Sequence, residues 1–301
     1  MKLLLTGGAG FIGPYISRAA LDDGWQPAVY DSLVRGNRSS VPANVRIFEG
    51  DICDGACLRR ACLTYRPEAI VHVAAHHFIP WCIANPRETL RTNVEGTMMV
   101  ARVAESADVG RVVFTSTADV YAPQERPHTE LDRLDSNNIY GSSKIAGEAM
   151  LQAFAGSGAF ALYILRVFNV VGPGDTNPHF IPELIANARL GPRIPVGNLT
   201  SVRDYVHARD VAAACLQAAK GAFPPGTYNV ATGIGHSGEA VICELRRICG
   251  LPLDTVSDPS RLRLADRHVL IGDPSRLVST STWQPSATLS ESLRDLWDHS
   301  A

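Results

Sequence analysis

Short apolar runs alternate with longer stretches of helical periodicity through the first half of the chain. The runs that predict strands cover residues 2–5, 26–30, 45–48, 69–73, 111–115 and 161–167. The stretches that predict helices begin near Phe11 and cover residues 54–65, 87–107 and 138–154. Apolar runs of strand length that alternate with helices are typical of parallel strands buried on both faces. The pattern therefore predicts an α/β fold with a doubly wound parallel sheet, which binds ligands at the carboxyl ends of its strands.

A glycine-rich turn joins the first predicted strand to the first predicted helix. Gly7, Gly10 and Gly13 follow one another at a spacing of three, as in the dinucleotide fingerprint of Rossmann-type folds. The first glycine permits a tight turn, the second lets the backbone approach a phosphate, and the third lets the helix pack closely on the strand. A pyrophosphate would bind at the positive end of the helix dipole, and Pro14 is tolerated in the first helical turn. Glycine triplets also occur in ordinary loops, but the preceding strand favours a dinucleotide site.

Asp31 ends the second predicted strand. An acidic residue about 20 positions beyond the turn is the expected partner of the ribose 2′-hydroxyl group of NAD. Arg35 and Arg38 follow closely and could instead bind the 2′-phosphate group of NADP. The position of Asp31 favours NAD as the cofactor.

The chain changes character after residue 170. The segments GPGD (172–175) and GPRIP (191–195) are typical of loops, and helical stretches there lie between irregular pieces. We predict that residues 1–169 and 204–232 form the NAD-binding domain. Residues 170–203 and 233–301 are predicted to form a smaller, interleaved substrate-binding region.

Composition and charge exclude several classes of protein. The 301 residues carry 28 basic and 30 acidic side chains, well mixed, with a formal net charge of −2, so neither nucleic acid nor an anionic membrane is expected as the main partner. No apolar run approaches the roughly 20 residues of a membrane span. The first strand begins at the first residues, so we expect no signal peptide and a cytoplasmic location. The seven cysteines lack the spacing of metal ligands, so neither a metal nor a disulfide is predicted.

Tyr140 and Lys144 lie one turn apart on the same face of a predicted helix. A tyrosine with the usual pKa of about 10 is a poor base at neutral pH. A nearby ammonium group and an oxidised nicotinamide ring would both favour the phenolate, so we expect a lowered pKa for Tyr140. Thr117, just beyond a predicted strand, could share the substrate proton. A surface helix pair would explain Tyr140 and Lys144 alone, but not together with the glycine turn.

These segments together resemble the extended short-chain dehydrogenase/reductase family, and within it the NAD-dependent nucleotide-sugar epimerases and dehydratases. Two C-terminal segments, 196–204 and 263–274, are similar to GDP-mannose 4,6-dehydratase and its relatives, which suggests a GDP-sugar. The matching segments cover nearly the whole chain: TGGAGFIG (6–13), DSL (31–33), GDI (50–52), HVAA (72–75), NVEGT (93–97), STADVY (116–121), YGSSK (140–144), LRVFNVVGPG (165–174) and RDYVH (203–207).

The resemblance implies where the cofactor binds and which residues react. Thr117, Tyr140 and Lys144 are the implied catalytic residues, and Asn93 supports their segment. The implied cofactor-binding residues are Gly7, Gly10, Phe11, Ile12, Gly13, Asp31, Ser32, Asp51, Ile52, Ala74, Ala75, Asn93, Tyr140 and Lys144.

The resemblance also implies a substrate-binding set of Thr117, Asn169, Arg203, Arg263 and Asp266, and we add His77 because it follows the fourth predicted strand and is expected to face the sugar. The guanidinium group of Arg203 suits a diphosphate, although a surface salt bridge with Asp204 would also explain it. For His77, a supporting or core role is the alternative. Relatives commonly form homodimers through two helices, here 87–107 and 138–154, and the outer faces of these helices carry Met98, Met99, Ala146 and Met150.

Asp119 separates the two leading chemistries. In 4,6-dehydratases an acidic pair, or a hydroxyl and a glutamate, follows the threonine and removes the C5 proton. Ala118 replaces the first member here, and Asp119 is one methylene shorter than glutamate. The sequence therefore favours a nucleotide-sugar 4-epimerase that works through a transient 4-keto intermediate. A 4,6-dehydratase with Asp119 as base, a 4-keto-sugar reductase and a non-catalytic NAD-binding regulator are the alternatives.

Overall fold

Seven parallel strands form the main sheet of the computed structural model, which describes residues 1–261 and 267–299. The order of the strands in this sheet is β10-β6-β5-β4-β1-β2-β3, so the predicted α/β fold with a doubly wound parallel sheet is confirmed. The strands of the described residues, in chain order, are β1 (Lys2–Thr6), β2 (Gln26–Asp31), β3 (Arg46–Glu49), β4 (Ala69–His72), β5 (Arg111–Thr117), β6 (Ala161–Val167), β7 (Asn169–Val171), β8 (Arg193–Val196), β9 (Val202–His207), β10 (Gly226–Val230), β11 (Gly235–Ser237), β12 (Asp254–Ser257) and β13 (Val269–Leu270).

Helices cover both faces of the main sheet and build much of the smaller region. A π-helical segment, Arg91–Gly96, joins α4 to α5, so the helix predicted at 87–107 is continuous but contains a wider turn. No helix of residues 1–261 and 267–299 is both long and apolar enough to cross a membrane. In chain order the helices are α1 (Gly13–Asp22), α2 (Gly55–Tyr65), α3 (Ile79–Ala84), α4 (Pro86–Leu90), α5 (Thr97–Ser106), α6 (Ile139–Gly156), α7 (Phe180–Leu190), α8 (Ala208–Lys220), α9 (Gly238–Cys249), α10 (Ser275–Thr280) and α11 (Leu289–His299).

The alternation of side chains along β1 divides the core into two layers. Leu3 and Leu5 pack on one face of the sheet with Ile16 of α1. Leu4 packs on the opposite face among side chains of α2, α5 and α6. Successive side chains of a strand point to opposite faces, so a single run of leucines serves both layers.

The main sheet changes winding direction beside β1, which pairs with β2 on one side and β4 on the other. In open parallel sheets such a switch point leaves a crevice at the carboxyl ends of the strands. Here the crevice lies next to the glycine-rich turn that follows Thr6.

β5 is two residues longer than the apolar run at 111–115 predicts. Ser116 and Thr117 continue the parallel pairing with Arg166 and Val167 of β6. A prediction from apolar runs does not include these two residues, because their side chains are polar. Backbone pairing with β6 extends the strand here, and not hydrophobicity. Thr117 is thereby held on a rigid strand at the edge of the crevice.

A second, smaller set of strands lies outside the main sheet. β9 pairs with β7, β11 and β13, and β8 pairs with β12. The division expected between residues 203 and 204 therefore falls within β9, and the chain returns to the main sheet only with α8 and β10. The backbone pairing of β9 keeps residues 204–207 in the small sheet.

A buried ion pair joins α6 to the main sheet. The carboxylate of Glu148 accepts hydrogen bonds from Arg166 (Nη2–Oε2, 2.7 Å; Nε–Oε1, 3.1 Å) and from Ser116 (Oγ–Oε1, 2.5 Å). Glu148 and Arg166 are 2% and 4% exposed. A buried charge is tolerated only when it is paired and hydrogen-bonded, and these contacts satisfy both needs.

We expect Glu148→Ala to lower the free energy of unfolding by about 3–5 kcal/mol, because it leaves the buried charge of Arg166 without its carboxylate partner, with hydrogen bonds only to Tyr121 and the carbonyl group of Glu130. Glu49→Ala is the matched control, since the side chains of the Glu49–Arg38 pair are 62% and 60% exposed. The control should cost less than about 1 kcal/mol. Urea unfolding of both variants measures the difference, and equal losses would contradict the account of the buried pair.

Candidate active site

A cleft of about 1730 Å³ lies at the carboxyl ends of the main-sheet strands and extends to the smaller region. Pockets for one drug-sized ligand have volumes of about 300–1,000 Å³, so this cleft has room for two such ligands. The described residues that the sequence predicts to bind cofactor or substrate line this cleft, with the exception of Gly13 and Asn93.

The glycine-rich turn has the geometry of a phosphate cradle. Gly7 has a φ of +71°, and a Cβ atom there would clash with the backbone of Ala74. A Cβ atom on Gly13 would clash with the carbonyl group of Gly8, so α1 packs directly on the turn. The N-cap residue of α1, Ile12, provides no side-chain hydrogen bond, and the helix begins with Gly13 and Pro14. Pro14 has no N–H group and Tyr15 N donates to the carbonyl group of Ile12 at 3.1 Å, so the N–H group of Gly13 and the positive end of the helix dipole are left for a ligand. This arrangement fits a dinucleotide pyrophosphate.

Asp31 ends β2 at the edge of this cradle. Its carboxylate accepts hydrogen bonds from the N–H groups of Ala9 (3.0 Å) and Leu33 (2.9 Å), which fixes it beside the turn. The two arginines considered for a 2′-phosphate have other partners. Arg38 pairs with Glu49 at 2.8 Å, and the guanidinium group of Arg35 lies 4.1 Å from the ring centroid of Trp81.

Five further residues predicted to contact the cofactor also line the cleft: Ser32, Asp51, Ile52, Ala74 and Ala75. Asp51 pairs with Arg91 at 2.8 Å. Burial raises the pKa of the Asp51 carboxyl, but the hydrogen bonds from Cys53 and Arg91 outweigh it and hold that pKa below its usual value. Asp51 is therefore an ion-paired wall residue, which suits a hydrogen-bonding role toward a nucleoside.

Asn93 links the wall after β4 to the helix that carries Tyr140. Its amide bonds both the N–H and the carbonyl groups of His76 at 2.8 Å, and it donates to Ser143 Oγ at 3.0 Å. It lies in the π-helical segment, a conformation that is frequent at functional sites. Asn93 thus connects the segment after β4 to α6 through its side-chain amide.

Thr117, Tyr140 and Lys144 converge at the centre of the cleft. Tyr140 lies in the first turn of α6, where the side chain of Asn138 caps the helix by accepting a hydrogen bond from Gly141 N at 2.9 Å. Thr117 ends β5, and its hydroxyl group lies close enough to Tyr140 to affect the pKa of that phenol. Lys144 is 2% exposed, and its Nζ lies 4.2 Å from the ring centroid of Phe114.

In the polypeptide alone, burial raises the pKa of the Tyr140 phenol, the charge of Asp119 adds to that effect, and the hydroxyl group of Thr117 opposes it. The lowering expected from the sequence involves the charge of a bound nicotinamide ring as well as that of Lys144, and it stays a prediction. Burial also lowers the pKa of Lys144 to about 7, against the attraction of Glu148. Lys144 is thus only partly charged at neutral pH, and helix spacing alone does not reveal how deeply it is buried.

Asp119 lies in a short 3-10 turn, Ala118–Val120, directly after Thr117. Its N–H group donates to Thr117 Oγ1 at 3.2 Å, and its carbonyl group accepts from Arg267 Nη2 at 3.1 Å. The residue is half-buried and lines the cleft. The backbone of this turn is fixed while the carboxylate stays close enough to affect Tyr140.

Of the residues predicted to bind the substrate, His77, Asn169 and Arg203 also line this cleft. The salt bridge considered between Arg203 and Asp204 does not form. The carboxylate of Asp204 is fully buried and accepts hydrogen bonds from Thr232, Gly233 and Gly272, because neighbouring residues of a strand face opposite sides. Arg263 and Asp266 lie outside the described residues.

Sequence reasoning missed the buried supports of the site. Glu148 follows Lys144 by one helical turn, as Lys144 follows Tyr140, and this spacing was a usable signal. His72 bridges Thr6 (2.7 Å) and Thr97 (2.9 Å) beneath the cleft. Its role depends on contacts between distant segments of the chain, so no local sequence motif predicts it.

Comparison with known proteins identifies a family that matches most of the chain. Residues 3–231 match the model of the NAD dependent epimerase/dehydratase family. The chain is 29% identical over 323 residues to the UDP-glucose 4-epimerase of Corynebacterium glutamicum, with 99% of this chain and 95% of the relative covered. The structure of the Thermus thermophilus UDP-glucose 4-epimerase in complex with NAD is similar, with a TM-score of 0.88, 28% identity and coverage of 99% and 98%. That of the Thermotoga maritima UDP-glucose 4-epimerase with UDP-glucose gives a TM-score of 0.91, 26% identity and coverage of 99% and 98%.

We expect Lys144→Met to raise the free energy of unfolding of the cofactor-free protein at pH 7. The folded pKa of about 7 lies below the ordinary 10.5, so the unfolded chain binds more protons between these values. Stability of the native sequence therefore falls as the pH drops from about 10 to 7, by a few kcal/mol at most. The Lys144→Met variant does not lose stability in this way. The difference in the free energy of unfolding between the variant and the native sequence, measured with denaturant, should therefore be smaller at pH 9.5 than at pH 7. A variant less stable at pH 7 than the native sequence would contradict the burial argument.

Proposed function

The chain belongs to the NAD dependent epimerase/dehydratase family, and on that basis we propose that it is a nucleotide-sugar 4-epimerase that acts on a UDP-sugar. The observation that carries the proposal is the meeting of Thr117 and Tyr140 between the glycine-rich cradle and the substrate-side residues of one cleft. A tyrosine beside a strand-end threonine in the same cleft is placed to transfer the proton of a sugar hydroxyl group.

NAD is the cofactor, and when bound it supplies the hydride acceptor and donor for the sugar and a positive charge beside Tyr140. The turn of Gly7, Gly10 and Gly13 and the uncapped start of α1 would hold its pyrophosphate. Asp31 would receive the ribose hydroxyl group. The remaining predicted contacts are Phe11, Ile12, Ser32, Asp51, Ile52, Ala74, Ala75 and Asn93.

Tyr140 removes the proton of the C4 hydroxyl group as the carbon is oxidised, and returns a proton when the 4-keto sugar is reduced on its other face. Thr117, at the end of β5 beside Tyr140, orients the same hydroxyl group. Lys144 lies one turn along α6 and holds the nicotinamide ribose. Its charge and that of the cofactor are needed to bring Tyr140 into the working range, since the polypeptide alone raises the pKa of the phenol. Positioning and local electrostatics supply most of the catalysis.

A UDP-sugar replaces the GDP-sugar suggested by the C-terminal segments. The Corynebacterium relative is named for UDP-glucose, and the similar Thermotoga structure contains it. Neither of these two proteins is named for a GDP-sugar. Arg203 and Asn169 are the substrate-binding residues that the structure describes, and Arg263 and Asp266 stay predictions from the resemblance.

We propose that residues 1–169 and 204–232 bind NAD and that residues 170–203 and 233–301 bind the nucleotide sugar, with residues 204–207 connecting the two parts through their pairing in the small sheet. We also propose a homodimer through α5 and α6. Met98, Met99, Ala146 and Met150 on these helices are only half-buried in the single chain. Light scattering that gives the mass of one chain would overturn the dimer.

Dehydration is the second candidate, because Asp119 lines the cleft beside Tyr140. A dehydratase must break the C5–H bond, and Asp119 is the carboxylate on this loop that could do so. Its short side chain and the alanine before it favour epimerisation.

Incubation with UDP-glucose in D2O, followed by NMR, tests the two chemistries. We expect UDP-galactose with unlabelled C5, and Asp119→Asn should retain activity within about tenfold. Tyr140→Phe is the matched control that keeps the fold, and loss of its proton-transferring oxygen should cost 10²–10⁴-fold.

Deuterium at C5 or C6, together with loss of activity in Asp119→Asn, would move the assignment to dehydration. A Tyr140→Phe variant with more than about a tenth of the native rate would contradict the role of Tyr140 as base.

A further inference from the structure

Two histidines face each other across the substrate side of the cleft. His77 follows β4, and His179 is the N-cap residue of α7, with their ring centroids 5.7 Å apart. Asp175 and Asn177, from the loop before α7, lie between them. We call these four residues the histidine clamp.

Asp175 organises the clamp from a buried position. Its side chain is 3% exposed, and Oδ2 lies 2.6 Å from His179 Nδ1. Oδ1 accepts hydrogen bonds from the backbone N–H group of Asn177 (3.0 Å) and from its side-chain amide (3.3 Å). Burial raises the pKa of the Asp175 carboxyl, but the contact with His179 and the Asn177 bonds outweigh it, so the group stays ionised. The carboxylate thus holds a proton on His179 Nδ1 and turns the other ring nitrogen away from itself.

His77 completes the clamp from the opposite wall. Its Nε2 lies 3.3 Å from the Asn177 amide nitrogen, and its side chain is exposed to the cleft. Although the side chain is open to the cleft, partial desolvation by the cleft walls lowers the pKa of His77, and the charges of His179, Lys144 and Arg35 act in the same direction. Asp175 acts in the opposite direction. His77 therefore sits in a positive field that a bound anion would offset.

We propose that His77 and His179 grip the diphosphate group of the nucleotide sugar, and that His77 takes up a proton when the sugar nucleotide binds. This inference rests on the proposed function. The cofactor has a diphosphate of its own, but the glycine-rich turn and the start of α1 provide a separate cradle for it. His179 instead belongs to the loop between β7 and α7, on the side of Asn169 and Arg203.

The direction of the pH effect follows from linkage. A bound diphosphate favours the charged form of His77, so the bound state holds more protons and affinity rises as the pH falls. If binding restores the ordinary pKa of 6.5, affinity should be about tenfold higher at pH 5.5 than at pH 7.5, with close to one proton taken up at pH 5.5. The diphosphate of a nucleotide sugar is a diester without a titrating proton in this range, so the proton belongs to the protein.

Calorimetric titration of UDP-glucose into the Tyr140→Phe protein, which binds without turnover, measures both effects. Buffers of different ionisation enthalpy give the proton count at pH 5.5 and pH 7.5. We expect His77→Gln to abolish the proton uptake and the pH dependence of affinity, and His179→Gln to weaken binding about tenfold or more at pH 5.5. His268→Gln, which changes an exposed histidine outside the cleft lining, is the control and should retain both effects.

Binding of UDP-glucose without proton uptake would overturn the clamp while leaving the proposed function intact. Failure of UDP-glucose to bind any variant would overturn the proposed function, and the clamp with it. The NAD content of the purified variants tells the two diphosphates apart. Loss of NAD from His77→Gln and His179→Gln, with unchanged UDP-glucose affinity, would assign the clamp to the cofactor and overturn its assignment to the substrate.

Discussion

The buried carboxylate of Glu148 fixes the geometry on which the rest of the site depends. It joins α6 to Ser116 of β5 and to Arg166 of β6, so the helix that carries Tyr140 and Lys144 is held to the strand that ends in Thr117. Ser116 directly precedes Thr117, so this support lies one residue from the reacting groups. Taking these charges out of water is costly, and only the complete set of hydrogen bonds makes the arrangement stable. The contact between Thr117 and Tyr140 therefore rests on a rigid support and not on loops.

The cleft that this ion pair supports disfavours the charged forms of the side chains that line it. Enclosure raises the pKa of Tyr140 and lowers those of Lys144 and His77. With these shifted pKa values, the site favours proton transfer at neutral pH only when bound ligands add their own charges. The positive nicotinamide ring and the negative diphosphate are such charges, and they act where little water screens them. The polypeptide supplies placement and a low-dielectric surrounding, while the ligands complete the electrostatics.

The main sheet could be predicted because its strands are buried on both faces and therefore form continuous apolar runs. The glycine turn, Asp31 and the Tyr140–Lys144 spacing were visible because each depends on a few neighbouring residues. The extension of β5 to Thr117 and the place of 204–207 in the small sheet were not visible, since both depend on pairing with distant strands. The histidine clamp could not be predicted for the same reason, because only the fold brings Asp175 and His179 close to His77. The depth at which Lys144 is buried is likewise a property of the packed structure.

The central claim is that the sugar is oxidised at C4 and reduced again within one cleft, with Tyr140 moving the hydroxyl proton. UDP-glucose labelled with deuterium at C4 tests this most directly, with the product analysed by NMR and mass spectrometry. The account predicts UDP-galactose that retains the deuterium at C4, because the hydrogen that leaves this carbon returns to it. Product that carries solvent hydrogen at C4, or a labelled sugar that is recovered without inversion, would contradict it.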